Sequence, residues 1–88
     1  MGHLLSGQLS VGTVATRIDG QSNNPVVLHI HNDDNTDNLY IGNESVTHTT
    51  GMIIPKLDSI ELTLHQGNTI WCISTKNGHT ASWIAQVL

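Results

Sequence analysis

Residues 59–65 read Ser-Ile-Glu-Leu-Thr-Leu-His, and this stretch decides the class of fold. Its apolar residues alternate strictly with polar ones, with Ile60, Leu62 and Leu64 on one side. A period of two places successive side chains on opposite faces of a β-strand. The stretch therefore predicts a half-buried strand that turns one aliphatic row toward a core.

Segments rich in Val, Ile, Leu, Thr and Trp recur on both sides of this strand, and Gly, Asn, Asp and Pro separate them. We expect further strands at Gln8–Val11, Thr13–Ile18, Pro25–His31, Asn38–Gly42, Met52–Ile54, Thr69–Thr75 and Thr80–Val87. Turn-forming residues at 19–20, 66–68 and 76–78 punctuate the pattern, and the last two turns indicate hairpins. The sequence thus predicts an all-β fold, a small β-sandwich or jelly-roll-like domain of about eight short antiparallel strands, with a small barrel as the alternative.

Composition limits the partners of this domain. The chain has 88 residues, 11% of them charged, and a net charge of −4 with Arg17, Lys56 and Lys76 as its basic residues. This charge disfavours binding to nucleic acid or to an anionic membrane. The sequence contains neither a signal-peptide pattern nor an apolar run of about 20 residues, so we expect a soluble protein made in the cytoplasm. The single Cys72 excludes an intrachain disulfide.

Two strands carry apolar side chains on both faces. Trp71 and Ile73 point away from Cys72, and Ile84 points away from Trp83. In so small a domain, the second apolar face of a strand predicts contact with another sheet or another chain. We assign interface candidates to these two strands and to the outward row of the strand predicted at Pro25–His31. The candidates are Val27, His29, His31, Trp71, Ile73, Trp83 and Ile84.

Two patterns offer metal ligands. His29 and His31 stand two apart on one strand, so both rings point the same way. The sequence indicates a third ligand only loosely, among Asp33, Asp34, His48, His65 and His79. Residues 33–44 place oxygen-bearing side chains at positions one, three, five and twelve of a calcium loop, yet Asn38 stands where that motif needs Gly. The favoured interpretations are a polar or interface face for the histidines and an Asx-rich turn for the loop.

The sequence contains no nucleophile motif, no paired carboxylates on one strand face and no Gly-rich phosphate loop. We therefore expect no enzymatic activity, no cofactor and no bound metal. A small cupin-like metal enzyme that uses His29 and His31 is the weakest alternative.

One region of the chain resembles a known group of proteins. Residues 34–43, Asp-Asn-Thr-Asp-Asn-Leu-Tyr-Ile-Gly-Asn, are followed by Val46-Thr47, by Thr49-Thr50-Gly51-Met52 and by a Leu-Asp-Ser-Ile-Glu-Leu strand. This YIG-x(3)-VT pattern resembles small structural proteins of tailed-bacteriophage virions, and the resemblance extends over about Val11 to Leu88. Residues 53–57, Trp71 and Trp83 depart from the pattern.

The resemblance implies a virion protein on the capsid exterior, made in the host cytoplasm. It would be a homotrimeric decoration or cement protein that stabilises the head by bridging subunits of the phage major capsid protein. Residues 9–88 would form the single β domain, and Met1–Gln8 an N-terminal arm that reaches a neighbour. If His29 and His31 met like residues across the three-fold axis, their protonation below about pH 6.5 would loosen the trimer.

Two alternatives stay open at this point. One is a phage head fibre, collar or tail component. The other is a small carbohydrate- or ligand-binding β-module, in which Trp71 and Trp83 would form a stacking surface.

Overall fold

Two four-stranded antiparallel sheets form the protein. The computed structural model describes residues 4–18 and 25–88. The strands are β1 (Leu4–Val11), β2 (Thr16–Arg17), β3 (Val26–Asn32), β4 (Leu39–Gly42), β5 (Met52–Ile54), β6 (Ser59–Leu64), β7 (Trp71–Ile73) and β8 (His79–Val87). Sheet A has the order β1-β8-β3-β6, and sheet B has the order β2-β7-β4-β5. Across the described ranges, no helix is long and apolar enough to cross a membrane.

The strand pairing is nested. β1 pairs with β8, β2 with β7, β3 with β6 and β4 with β5. The chain is therefore a ribbon folded back on itself and rolled into two sheets, which is the topology of a jelly roll. The predicted all-β sandwich of eight short antiparallel strands is confirmed.

One apolar core lies between the two sheets. It is formed by the inward rows of both, including Val26, Leu28, Ile30, Ala81 and Ala85 from sheet A and Leu39, Ile41, Ile54 and Cys72 from sheet B. In β6, Leu64 is buried, whereas Ile60 and Leu62 are only partly buried because β6 is an edge strand. The predicted inward row of β6 is therefore inside, but part of it is open at the edge of the sandwich.

The N-terminal segment differs from the expected arm. Residues 4–8 belong to β1, which pairs with β8 from Leu4↔Gln86 to Val11↔His79. Leu5 and Leu9 pack against the core, and Gly7 between them leaves the apolar alternation hard to recognise in the sequence. The domain therefore begins before residue 9, and Met1–His3 lie outside the described residues.

The two predicted hairpins are instead connections between sheets. Gly67 and Gly78 take left-handed conformations with φ of 85° and 74°, as the turn residues indicated. However, β7 lies in sheet B, while β6 and β8 lie in sheet A. Turn residues predict a local reversal of the chain but not whether the flanking strands pair. The turn expected at 19–20 lies outside the described residues.

The YIG part of the YIG-x(3)-VT segment ends strand β4, and the loop that follows it, residues 43–51, folds onto the outer face of sheet B. Val46 of this loop is buried, and an added Cβ at Gly42 would lie 3.0 Å from its Cγ2 atom. An added Cβ at Gly51 would lie 2.8 Å from Cβ of Tyr40 and 2.9 Å from Cγ2 of Val46. The two glycines are therefore needed for close approach of loop 43–51 to the sheet.

This packing predicts the effect of a methyl group at residue 51. Gly51→Ala should lower the free energy of unfolding by about 1–3 kcal/mol, because the neighbouring side chains have to shift to admit it. Ser45→Ala, in the exposed part of the same loop, should change it by less than about 0.5 kcal/mol. Urea denaturation of the three proteins provides the measurement, and equal midpoints for Gly51→Ala and the parent protein would contradict the proposed fit.

Candidate interaction surfaces

The outer face of sheet A brings together four of the seven interface candidates. His29 of β3 lies opposite Ile84 of β8 on one side and opposite Glu61 of β6 on the other. Val27 and His31 flank His29 on the same face, and the Ile84 side chain is 44% exposed. Among the outward residues of the four strands of sheet A, Glu61 is the single Asp, Glu, Lys or Arg.

Polar contacts hold one end of this face. His31 Nδ1 is hydrogen bonded to Asp33 Oδ1, and the Ser82 hydroxyl donates to the same carboxylate oxygen at 3.0 Å. Within residues 4–18 and 25–88, no three side chains of His, Cys, Asp or Glu lie close enough together to hold a metal ion. The histidine pair therefore has carboxylate and hydroxyl neighbours but no assembled metal site in the described structure.

Trp83 lies on the inner side of sheet A, away from the other candidates. It is opposite Gly7 in the register of β1 and β8, and its indole atoms lie 3.0–3.1 Å from where a Cβ of that glycine would be. The indole is partly buried and packs against the core. Trp83 thus covers a glycine of its own sheet.

Trp71 and Ile73 lie on sheet B, where the chain itself covers the outer face. Ile73 is opposite Tyr40, whose ring makes a T-shaped contact with His48 of loop 43–51 at a centroid distance of 5.4 Å. His48 Nε2 also lies 3.0 Å from the Ser74 carbonyl oxygen. The apolar second face of β7 is therefore covered by a loop of the same chain. Trp71 and Trp83 lie on different sheets and form no common stacking surface.

A buried polar network at one end of the sandwich was not predicted. Asn32, Ser74 and His79 are all fully buried. The two N–H groups of Asn32 Nδ2 donate to three backbone carbonyl oxygens, those of Asp37, Ile54 and Pro55, so that one N–H is shared between two acceptors. Asn32 Oδ1 is therefore left as the acceptor that lies 2.7 Å from His79 Nε2.

This geometry fixes the tautomer of His79. Since Asn32 Oδ1 can only accept, Nε2 carries the proton and Nδ1 accepts from the Ser74 hydroxyl at 2.8 Å. Burial lowers the pKa of His79 below its usual value of 6.5. The neutral ring is thus part of the folded structure, because protonation would place a charge in the buried network and reverse the hydrogen bond to Ser74.

Lys76 binds the loop that contains part of the calcium pattern of residues 33–44. Its ammonium lies 2.6 Å from Asp34 Oδ2 and 3.6 Å from Asp37 Oδ2. Asp34 Oδ1 accepts from the backbone N–H groups of Thr36 and Asp37, which is an Asx turn as predicted. The Lys76 hydrogen bond, followed by those from Thr36, holds the pKa of Asp34 well below its usual range.

An apolar groove opens on the side of the sandwich where β6 and β5 are the edge strands. Its volume is about 640 Å³. Aliphatic side chains of both sheets line it, namely Ile41, Met52, Ile60, Leu62, Leu64 and Ile70, with Gly42, Asn43, Glu61 and Thr69 as the other lining residues. The groove arises because the inward row of β6 extends beyond the short strand β5.

The four sheet edges differ in how well they are protected. β2 has two residues and β5 has three, and Pro55 follows β5 directly. Very short edge strands and proline are features that discourage pairing with another chain. β1 and β6 have eight and six residues, no proline and a single charge, that of Glu61. Along both strands, the described part of the chain supplies a partner on one side alone.

The fold defines the class of the protein as an eight-stranded jelly roll with one open, apolar side. A solved structure with a similar fold, described as "Bacillus endospore appendages form a novel family of disulfide-linked pili", matches with a TM-score of 0.73 and 14% sequence identity. The match covers 99% of this chain and 84% of that chain. No protein-family model and no curated protein matches the chain.

This match corrects the expected function. This similar structure is an endospore appendage, so the assignments to a capsid decoration protein, to a phage head fibre, collar or tail and to the capsid exterior are wrong. The major capsid protein is likewise unsupported as a partner. The motif misled because Gly42, Val46 and Gly51 determine how a loop packs on a sheet, which is a property of fold. The similarity of the motif itself to phage sequences stays a prediction.

The solved pili are linked by disulfides, whereas the cysteine of this chain is enclosed in the core. Cys72 is 0% exposed, and its thiol donates to the Thr16 carbonyl oxygen at 3.4 Å. Burial raises the pKa of the Cys72 thiol to about 12. The thiolate, which is the species that reacts with disulfides, is therefore scarce at neutral pH.

We expect Cys72 to be inert in the folded protein. A disulfide reagent such as dithionitrobenzoate should leave it unmodified at pH 8 over hours and modify it within minutes in 8 M urea. Ser45→Cys, with a thiol in the exposed loop, should react once per chain without urea. Rapid reaction of the parent protein under native conditions would contradict the buried position.

The neutral state of His79 predicts a pH-dependent stability. Because its pKa is lower in the folded than in the unfolded chain, the unfolded chain binds more protons below pH 6.5. The contribution of His79 to the free energy of unfolding should therefore be fully retained above about pH 6.5 and be lost progressively as the pH falls below that value. His79→Gln should reduce this slope, and His65→Gln, at an exposed turn, should not. An unchanged slope in His79→Gln would refute the assignment.

Proposed function

We propose that this protein is a self-assembling structural subunit that forms a polymer of the pilus kind by adding copies edge to edge. The observation that carries this proposal is the open side of the sandwich, where β6, which has a partner on one edge alone in the described part of the chain, borders an apolar groove of about 640 Å³. The jelly roll that it shares with the endospore pili supports it.

The accepting surface consists of β6 and the groove. An edge strand presents a row of N–H and C=O groups that can pair with a strand of another chain. The partly buried side chains of Ile60 and Leu62 line the groove, so an added strand would bury them further. Backbone pairing and the burial of these side chains therefore occur at the same place. Burial of apolar surface stabilises such a contact by about 25 cal/mol for each Å² removed from water.

The donating surface is β1 of the next copy. It is the longest edge strand of the described chain, and it carries Leu5 and Leu9 on its inward face. Pairing of β1 with β6 would continue sheet A from one copy into the next, and alternation would bring Leu5 or Leu9 toward the groove. Because the two surfaces are different, the contact repeats head to tail and gives an open polymer.

This polymer would be held by noncovalent contacts. Cys72 lies in the core, and burial raises the pKa of its thiol, so it is less able to form a crosslink than an exposed thiol would be. The proposal gives the chain a structural role and assigns it no catalytic one.

The first test is the mass of the purified protein as a function of concentration. Light scattering on a sizing column should give a broad distribution whose mean mass rises with concentration, and electron microscopy should show filaments. A reducing agent should leave both unchanged. A single fixed mass at every concentration, whether a monomer or a closed trimer, would contradict the proposal.

A variant pair tests the surface itself. Leu62→Lys places an inward-pointing charge on edge strand β6, a device that prevents edge pairing, and should reduce the mean mass to that of a monomer. Val14→Lys carries the same charge at an exposed loop residue and should polymerise like the parent protein. Circular dichroism should confirm that both variants are folded.

A peptide provides a test that leaves the protein unchanged. A synthetic peptide of residues 4–11 should occupy the β6 edge and shorten the polymers in proportion to its concentration, whereas a scrambled peptide should not. Polymers of parental length in folded Leu62→Lys, or in excess peptide, would show that assembly uses another surface.

A further inference from the structure

The outer face of sheet A carries a single Asp, Glu, Lys or Arg side chain, that of Glu61, and no other part of the described chain covers it. Sheet B has loop 43–51 on its outer face, with Val46 buried beneath it. Sheet A has no such cover within residues 4–18 and 25–88, and Leu4, Val27 and Ile84 lie on its outer face. Depletion of charge is the compositional mark of an interface core.

From this face we infer a second self-contact, in which the outer face of sheet A packs against the same face of another copy and so joins two polymers side by side. The inference rests on the proposed function, because strand addition at β6 would extend sheet A from copy to copy. Its outer face would then become a continuous ribbon that a second ribbon can cover.

The shape of the face supports a second copy as its partner. Ile84 stands between two shallow depressions, one of about 220 Å³ lined by Leu4, Val27 and Gln86 among others, and one of about 150 Å³ lined by His31 and Ser82 among others. His29 borders both. Ile84 and His29 therefore lie side by side at the centre of the face, where the isoleucine of one copy can pack against the imidazole of an identical face.

The position of the charge agrees with this arrangement. One row across the sheet runs Ser6, Ile84, His29 and Glu61 in the order of the strands. A two-fold axis parallel to the strands, between β8 and β3, reverses this row in the second copy. Ile84 then meets His29 of the other copy, and Glu61 meets the hydroxyl of Ser6 rather than the second Glu61.

The area of the face explains why polymers, rather than single copies, would associate. Four strands about 4.8 Å apart and about seven residues long give a face of about 450 Å². Two such faces bury about 900 Å², which is less than the roughly 1,200 Å² of a stable specific interface. One contact is weak, but copies joined in a polymer make many contacts at high effective concentration.

A matched pair of substitutions tests the inference. Ile84→Lys places a charge at the centre of the face, and Ile53→Lys places the same charge on the outer face of sheet B, where the isoleucine is similarly exposed at 50% against 44%. Electron microscopy should show Ile84→Lys polymers of parental length that are single, with the paired fraction reduced at least tenfold. Ile53→Lys polymers should pair like those of the parent protein. Ile84→Ser should reduce pairing without introducing a charge.

A second measurement keeps the inference separate from the proposed function. Sedimentation of Leu62→Lys, which should not polymerise, should show a weak dimer at about 1 mM protein. The double variant that carries both Leu62→Lys and Ile84→Lys should show no dimer. If the parent protein forms no polymer but this dimer is present and sensitive to Ile84→Lys, strand addition fails and the face contact stands. Polymers that are single in the parent protein, or that pair equally well in folded Ile84→Lys, would overturn the face contact.

Discussion

Two four-stranded sheets cannot close on themselves, and the backbone groups along their edges are the constraint on which the rest of this structure depends. The chain protects two of its four edges by keeping β2 and β5 very short. The other two, β1 and β6, are long and lack proline. The inward row of β6 also extends past its counterpart in sheet B and leaves an apolar groove. Unpaired backbone and unburied side chains thus occur together, which is the basis for assembly by strand addition.

Buried polar side chains close one end of the sandwich. At one end the buried Asn32 side chain joins β3 to the backbone of two neighbouring connections, and His79 and Ser74 complete its hydrogen bonds. Lys76 adds an ion pair with Asp34 just outside this network. Because buried polar groups are costly unless they are paired, these bonds hold the connections in one arrangement. The rigid end and the open side together describe a subunit that keeps its shape while adding neighbours.

Local pattern predicted most of the fold but little of what depends on distant residues. Strict alternation placed β6, and the strands predicted at β3, β4 and β5 agree with the structure within one residue at each end. Gly7 obscures the alternation in β1. The turn residues at 66–68 and 76–78 indicate hairpins that the structure does not contain, because the pairing partner of a strand is a nonlocal property. Val27, His29, His31 and Ile84 share a face as alternation implies. The network of Asn32 with His79 joins residues 47 positions apart, and no sequence period indicates such a contact.

The central claim is that β1 of one copy pairs with β6 of the next, and amide hydrogen exchange tests it most directly. Exchange should be compared between polymers of the parent protein and the folded Leu62→Lys monomer, residue by residue. On β1 and β6, the backbone amides that point away from the neighbouring strand of the same copy should exchange freely in the monomer. The account predicts that they become strongly protected in the polymer, with little change at β2 and β5. Polymers in which β1 and β6 exchange as fast as in the monomer would contradict it.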